Sequence, residues 1–230
     1  MNETVTREGV AAWLRAFAAA VAEHRDELTE LDAAIGDADH GTNMDRGMQA
    51  VVAKLDAVSE AGADGGAGPG AAGGPGAAEG AGPLLKTTGM TLVSTVGGAA
   101  GPLYGTLFLD MGKAAGDRTE LGVADWAELM EAGVAGVQRR GKAEAGDKTM
   151  LDALLPAAGA LWAAAGAGMS LGEAMRSSAA AAEEGMKATI PLIARKGRAS
   201  YLGERSAGHQ DPGATSTWLL LDAAARAMGG

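Results

Sequence analysis

Apolar residues recur along this chain every three or four positions and seldom every second one. Val10, Trp13, Leu14, Phe17 and Val21 follow a period near 3.6, and so do Met44, Met48, Val51, Val52, Leu55 and Val58. That spacing predicts two amphipathic helices, each with one buried stripe. Trp126, Met130, Val134 and Val137 continue the pattern, with Asp125 expected as the N-cap, Glu128 three residues on and Gly141 as the C-terminal stop. Ser170 to Glu173 (SLGE) has the form of a capping box ahead of an Ala-rich helix reaching toward Met186. A last helix is expected to start at Asp211-Pro212, the acid capping and the proline taking the first helical position, and to run through Trp218 and Leu221 to Met228. Thr106 to Met111 (TLFLDM) is the best strand candidate, yet it is short and reads as helix beside its neighbours. The prediction is an all-α bundle of about seven to nine helices.

Composition sharpens this picture. The 230 residues include 53 Ala and 37 Gly, so helix axes can approach closely. Only three Ile and 3% aromatic residues argue against an all-β sandwich. The absence of cysteine excludes a disulfide scaffold, thiolate metal sites and cysteine nucleophiles. A net charge of -10 disfavours broad nucleic-acid binding, which needs a basic face. The start lacks the basic-then-apolar order of a signal peptide, and no uninterrupted run of about 18 apolar residues occurs, so the expectation is a soluble, cytoplasmic chain without membrane contact. Ala61 to Pro83 holds ten Gly, eight Ala and three Pro with no large apolar side chain. It reads as a flexible linker or an inserted surface loop within a single domain spanning 1–230.

Four tracts could carry chemistry. Leu31 to Gly47 (LDAAIGDADHGTNMDRG) places Asp32, Asp37 and Asp39 within eight residues, with Gly36 and Gly41 interrupting the backbone. Carboxylates that close repel unless a cation neutralises them, and oxygen ligands select Mg2+ or Ca2+ over zinc. A calcium EF-hand loop counted from Asp37 fails, because Thr42 falls where Gly is required and Met48 where Glu is required. His40 to Asn43 would then open a helix whose free N–H groups favour phosphate. Spacing alone is equally compatible with an ordinary Asp-rich turn. Val96 to Thr106 (VGGAAGPLYGT) is a second glycine-rich tract, suited to a nucleotide or to tight helix packing. Gly141 to Thr149 (GKAEAGDKT) resembles a phosphate-binding P-loop but misses by one residue, since Asp147 separates Gly146 from Lys148, and a helix end precedes it where a strand is needed. Arg195 to Gly213 is a long polar segment in which Arg195, Lys196, Arg198 and Arg205 supply local positive charge; Arg198 could fork onto a phosphate.

Taken together, IGDADHGTNMDRG at 35–47, TGMTLVSTVGGAAGPLYGT at 88–106, RGKAEAGDKTM at 140–150 and ARKGRASYLGERSAGHQDPGATS at 194–216 resemble the L subunit, or nucleotide-binding domain, of dihydroxyacetone kinases. The similarity covers nearly the whole chain apart from 61–83. The resemblance implies an eight-helix antiparallel barrel with ADP or ATP held in loops at one end. It implies that Asp32, Asp37 and Asp39 ligate two Mg2+ ions. His40, Gly41, Thr42 and Asn43 would contact the nucleotide, with Ala99 and Ala100, with Gly141 and Met150 near adenine, with Arg198 stabilising phosphate, and with Asp211, Pro212 and Gly213 closing the site. The family often has serine where this chain has Ala100. No residue stands out as a phosphoryl nucleophile, so metals and Arg198 would do the work by positioning and charge neutralisation. With no room for a substrate-binding half, the chain is expected to be the separate ADP-binding subunit of a phosphotransferase-system-dependent kinase. Its partners would be a dihydroxyacetone-binding K subunit and a phosphohistidine carrier (M subunit); a homodimer is compatible. The alternatives are a nucleotide-sensing regulator of a transcription factor and a subunit of an ATP-dependent ketose or sugar-alcohol kinase.

Overall fold

The computed structural model describes residues 4–63 and 80–229. A two-residue strand β1 (Val5–Thr6) leads into helices α1 (Arg7–Glu23), α2 (Arg25–Ile35) and α3 (His40–Ala63). Helices α4 (Ala81–Thr95) and α5 (Ala100–Ala115) follow, then strand β2 (Glu120–Leu121), which pairs antiparallel with β1. The chain continues through α6 (Val123–Gly141), α7 (Leu151–Gly166), α8 (Leu171–Ala188), a 3-10 segment (Arg198–Ser206) and α9 (Pro212–Met228). The all-α expectation holds, and TLFLDM lies inside α5.

Nine α-helices among the described residues exceed the expected eight by one, and the packing explains the difference. Following neighbours, α1 packs on α3, α3 on α4, and so on through α9, which returns to α1. Eight helices therefore close a ring, while the short α2 sits outside it against α3, α9 and the 3-10 segment. Because neighbours in the ring run in opposite directions, α3, α5, α7 and α9 all begin at the same end. Their first turns carry unpaired N–H groups and the positive ends of four helix dipoles.

The predicted stripes are what fill the ring. Val10, Trp13, Leu14, Phe17 and Val21 are fully buried, and Trp126, Met130, Val134 and Val137 nearly so. Trp13 lies edge-on to Trp126 at 5.3 Å between ring centroids and tilts against Phe108 at 5.7 Å. Aromatic pairs of this kind add to area burial because the positive ring edge meets a negative face. Of the stripe predicted along α3, Met44, Met48, Val51 and Leu55 are buried and Val52 is half-buried, whereas Val58 is about half exposed. Small residues do what their number suggested. A Cβ on Gly82, Gly89, Gly105 or Gly112 would collide across the α4–α5 contact.

Three boundaries differ from expectation. Helix α6 starts at Val123 with Gly122 as its N-cap, so Asp125 is the third helical residue, and its carboxylate accepts from Gly122 N at 2.9 Å. Glu128 instead pairs with Arg118 at 3.0 Å. Both ends of the 61–83 tract belong to helices, since α3 runs to Ala63 and Ala81 is fully buried at the start of α4; residues 64–79, on which the linker expectation falls, lie outside the described residues. Arg195 to Gly213 is not devoid of regular structure, because 3-10 turns fill its middle. The Ser170–Glu173 capping box and the Asp211-Pro212 start of α9 are as the sequence predicts.

Candidate functional site

The loop joining α2 to α3 folds around one side chain. Asp32, in the last turn of α2 and mostly buried, accepts from Asp39 N at 2.8 Å and His40 N at 3.1 Å, so it caps α3 across the loop. A Cβ at Gly36 would fall on Asp32 Oδ1, which is why glycine is needed there. Ala38 takes a left-handed φ of 60°, a strained setting for a non-glycine residue. The result brings carboxylate oxygens of Asp32, Asp37 and Asp39 within 4.8 Å of one another. Three hard oxygen donors with no sulfur among them fit Mg2+, which keeps few protein ligands and completes its shell with water and phosphate.

These acids line a cleft of about 740 Å³ at the end of the ring where α3, α5, α7 and α9 begin. The volume suits a nucleotide-sized ligand. Asp37, Asp39, His40 and Asn43 border it, as do Gly97 to Ala100 in the turn before α5. Gly98 adopts φ +63°, and a side chain on Gly97 would crowd the Asn43 amide at 3.1 Å, so this turn passes close over the start of α3. Gly141, Met150 and Val137 form an apolar flank, and Asp211, Pro212 and Gly213 complete the rim. Arg198 enters from the 3-10 segment with its guanidinium 2.9 Å from Asp37, next to Arg195 and Lys196. The cleft is thus lined by both charged and apolar side chains, as the phosphates and base of a nucleotide require.

Two expected contacts lie elsewhere. Gly41 is buried against α2, where a Cβ would strike the Arg25 carbonyl, and Thr42 is exposed outside the cleft lining. Arg205 is also absent from the lining.

The structure adds residues that sequence reasoning missed. Lys148, in the rejected P-loop look-alike, is fully buried, and its ammonium donates to the carbonyls of Thr189 at 2.6 Å, Ile190 at 3.4 Å and His209. Thr189 Oγ1 in turn accepts from Asp211 N at 3.0 Å, so Lys148 ties the loop before α7 to the one before α9. Burial lowers the Lys148 pKa, opposed by the charges of Asp211 and Asp152. Asp211 caps α9 through Ala214 N at 2.7 Å, and burial pushes its carboxyl up to about 7. Tyr104, buried on α5, bonds Ser216 Oγ at 2.8 Å and Thr217 Oγ1 at 2.9 Å. Arg140 and the exposed Tyr201 also border the cleft. A lone polar aromatic in an apolar run and a lysine after Gly-Asp were the only signals available for Tyr104 and Lys148.

Comparison with known proteins places the chain in a family. Residues 71–226 match the DAK2 domain family. The ADP-binding subunit DhaL of the PEP-dependent dihydroxyacetone kinase of Escherichia coli (strain K12) is 41% identical over 218 residues, covering 95% of each chain. The ADP-binding subunit DhaL of the PTS-dependent enzyme of Lactococcus lactis is 40% identical, with 91% of this chain and 92% of that one covered. The L-erythrulose kinase of Pectobacterium atrosepticum is 34% identical over 93% of this chain, which spans only 34% of that protein. In fold, the crystal structure of the dihydroxyacetone kinase of C. freundii superimposes with a TM-score of 0.67 at 23% identity, covering 94% of this chain and 34% of that one. The chain belongs to the DAK2-domain family, among the L subunits of dihydroxyacetone kinases.

Proposed function

We propose that this chain is the ADP-binding subunit of a phosphoenolpyruvate phosphotransferase-system-dependent dihydroxyacetone kinase. The observation that carries the reading is the Asp32, Asp37 and Asp39 cluster sharing one cleft with Arg198 and the Gly97 to Ala100 turn. Similarity over 95% of both chains to a subunit of that name supports it.

In this reading Asp32, Asp37 and Asp39 would hold two Mg2+ ions, which supply charge neutralisation and in-line geometry for the transferring phosphoryl group. His40, Asn43 and the N–H groups of Ala99 and Ala100 bind phosphate oxygens, and Gly141 and Met150 flank the adenine. Arg198 stabilises charge on the phosphoryl group as it moves. Asp211 to Gly213 close the cleft. ADP stays bound and is rephosphorylated from the phosphohistidine of an M subunit; the phosphoryl group then passes to a hydroxyl of dihydroxyacetone held on a K subunit. No nucleophile on this chain is required, because catalysis rests on positioning and electrostatics. The single nucleotide-binding unit formed by residues 1–230 works in the cytoplasm.

Calorimetry with Mg-ADP tests the site. Asp37→Asn is expected to weaken binding at least tenfold by removing a charged ligand, and unchanged binding would sink the assignment. Triose phosphate formed only when K subunit, carrier protein and phosphoenolpyruvate are all present would establish the reaction.

A further inference from the structure

A hydrogen-bonded chain of buried hydroxyls ends on His40. Ser216 Oγ lies 2.8 Å from His40 Nε2 and 2.8 Å from Tyr104 OH, which lies 2.9 Å from Thr217 Oγ1. Tyr104, Ser216 and Thr217 are shut away from water, so their hydroxyl protons must be spent on one another, on nearby carbonyls or on the His40 ring. The chain joins three elements far apart in sequence: α5 supplies Tyr104, α9 supplies Ser216 and Thr217, and α3 begins with His40.

Two directions of donation satisfy the group. In one, His40 Nε2–H donates to Ser216 Oγ, and Ser216 donates to Gly213 O at 3.1 Å. In the other, Thr217 donates to Tyr104, Tyr104 to Ser216, and Ser216 to a bare Nε2, which places the ring proton on Nδ1. The nitrogen that carries the proton in a neutral imidazole is set by the bond its partner nitrogen makes. Nδ1 has no hydrogen-bond partner among the described residues, and His40 borders the cleft. Its backbone N–H is already committed to Asp32, so the ring alone is left to meet a ligand. An anion facing a lone pair on Nδ1 is repelled, whereas one facing an N–H is bound.

We propose that Tyr104 and Ser216 hold His40 as the tautomer protonated on Nδ1, so that the ring presents an N–H to a phosphate oxygen in the cleft. Tyr104 and Ser216 are then positioning residues that act through the His40 ring. The inference rests on the nucleotide reading of the cleft.

Long-range 1H–15N NMR on the full chain saturated with Mg-ADP reads the tautomer directly. The chain has only three histidines, and loss of one set of signals in His40→Gln assigns the ring. The wild type is expected to show a protonated Nδ1 and a bare Nε2. Ser216→Ala and Tyr104→Phe, both small changes that preserve shape, should shift the ring toward protonated Nε2, and Ser216→Ala should weaken Mg-ADP binding about tenfold, as loss of one bond to a charged group implies. A protonated Nε2 in the wild-type complex would overturn the proposal, as would a Ser216→Ala variant with unchanged ring signals and affinity. A wild-type chain that does not bind Mg-ADP would overturn the nucleotide reading itself, and this inference with it.

Discussion

The guanidinium of Arg198 lies 2.9 Å from the Asp37 carboxylate, joining the acidic loop after α2 to the basic segment before α9. The arginine side chain is two-thirds exposed, so the pair adds little to stability. Its consequence is placement: the cation is kept in the cleft beside the acidic cluster. Arg198→Ala is expected to lower triose-phosphate formation about a hundredfold or more in the reconstituted system while leaving the unfolding midpoint unchanged. Arg198→Lys should recover only part of the rate, because a point charge lacks the two-pronged fit to phosphate. A wild-type rate for Arg198→Ala would remove Arg198 from the mechanism.

Gly36→Ala separates site geometry from fold stability. The added methyl meets the Asp32 carbonyl oxygen at 3.0 Å, so the end of α2 gives only slightly, and it falls on Asp32 Oδ1, a side-chain atom that can swing away. Swinging it breaks the cap on Asp39 and His40 and opens the acidic cluster. Mg-ADP affinity by calorimetry should fall about tenfold or more, with thermal stability reduced by about 1 kcal/mol.

Lys148→Met should be among the most damaging single changes outside the aromatic core. It removes the buried ammonium that bridges three carbonyls: Thr189 O and Ile190 O keep Leu192 N at 3.1 Å and Gly208 N at 2.7 Å, while His209 O loses its donor. Losing hydrogen bonds from a charged group costs about 2 kcal/mol, readable as a shift in the urea midpoint. Lys142→Met, on an exposed side chain six residues earlier, should cost almost nothing.

Asp211 makes stability depend on pH in an unusual direction. Burial chiefly, with the charges of Asp152 and Asp32, raises its carboxyl to about 7 from an ordinary 3.8, against the pull of Ala214 N and Lys148. Between those values the folded chain binds more protons than the unfolded one, so this group's contribution is full below pH 4 and is lost as pH rises through 7. Asp211→Asn keeps a capping side chain but cannot titrate. Relative to that variant, the wild type should lose a few kcal/mol between pH 4 and 7, at about 1.4 kcal/mol per pKa unit, as measured by urea unfolding across the range. A difference that does not vary with pH would show that Asp211 does not titrate there.

Much of this was legible in the chain. The stripe from Val10 to Val21 and the Asp211-Pro212 start translate directly into buried faces and caps, because both depend on local periodicity and local hydrogen bonds. The acidic loop was legible as well, since Asp32, Asp37 and Asp39 are neighbours in sequence before they are neighbours in space. What could not be read depends on distant partners. Asp125 was expected as a cap because nothing in sequence shows that Gly122 precedes a turn of helix closed by the Asp125 carboxylate. Lys148 and Tyr104 owe their roles to groups 41 to 113 residues away. Likewise, α2 lies outside the ring for a tertiary reason, and its own pattern is as amphipathic as that of its neighbours.

The indole N–H of Trp13 donates to Leu220 O at 2.8 Å, one turn beyond Ser216 on the same helix. A substitution that displaces Trp13 therefore acts on the helix that Asp211 caps and that bears Ser216 and Thr217. Over evolutionary time, drift in the hydrophobic interior and tuning of ligand affinity are not independent: compensating changes for one will accumulate along α9, where the other is set.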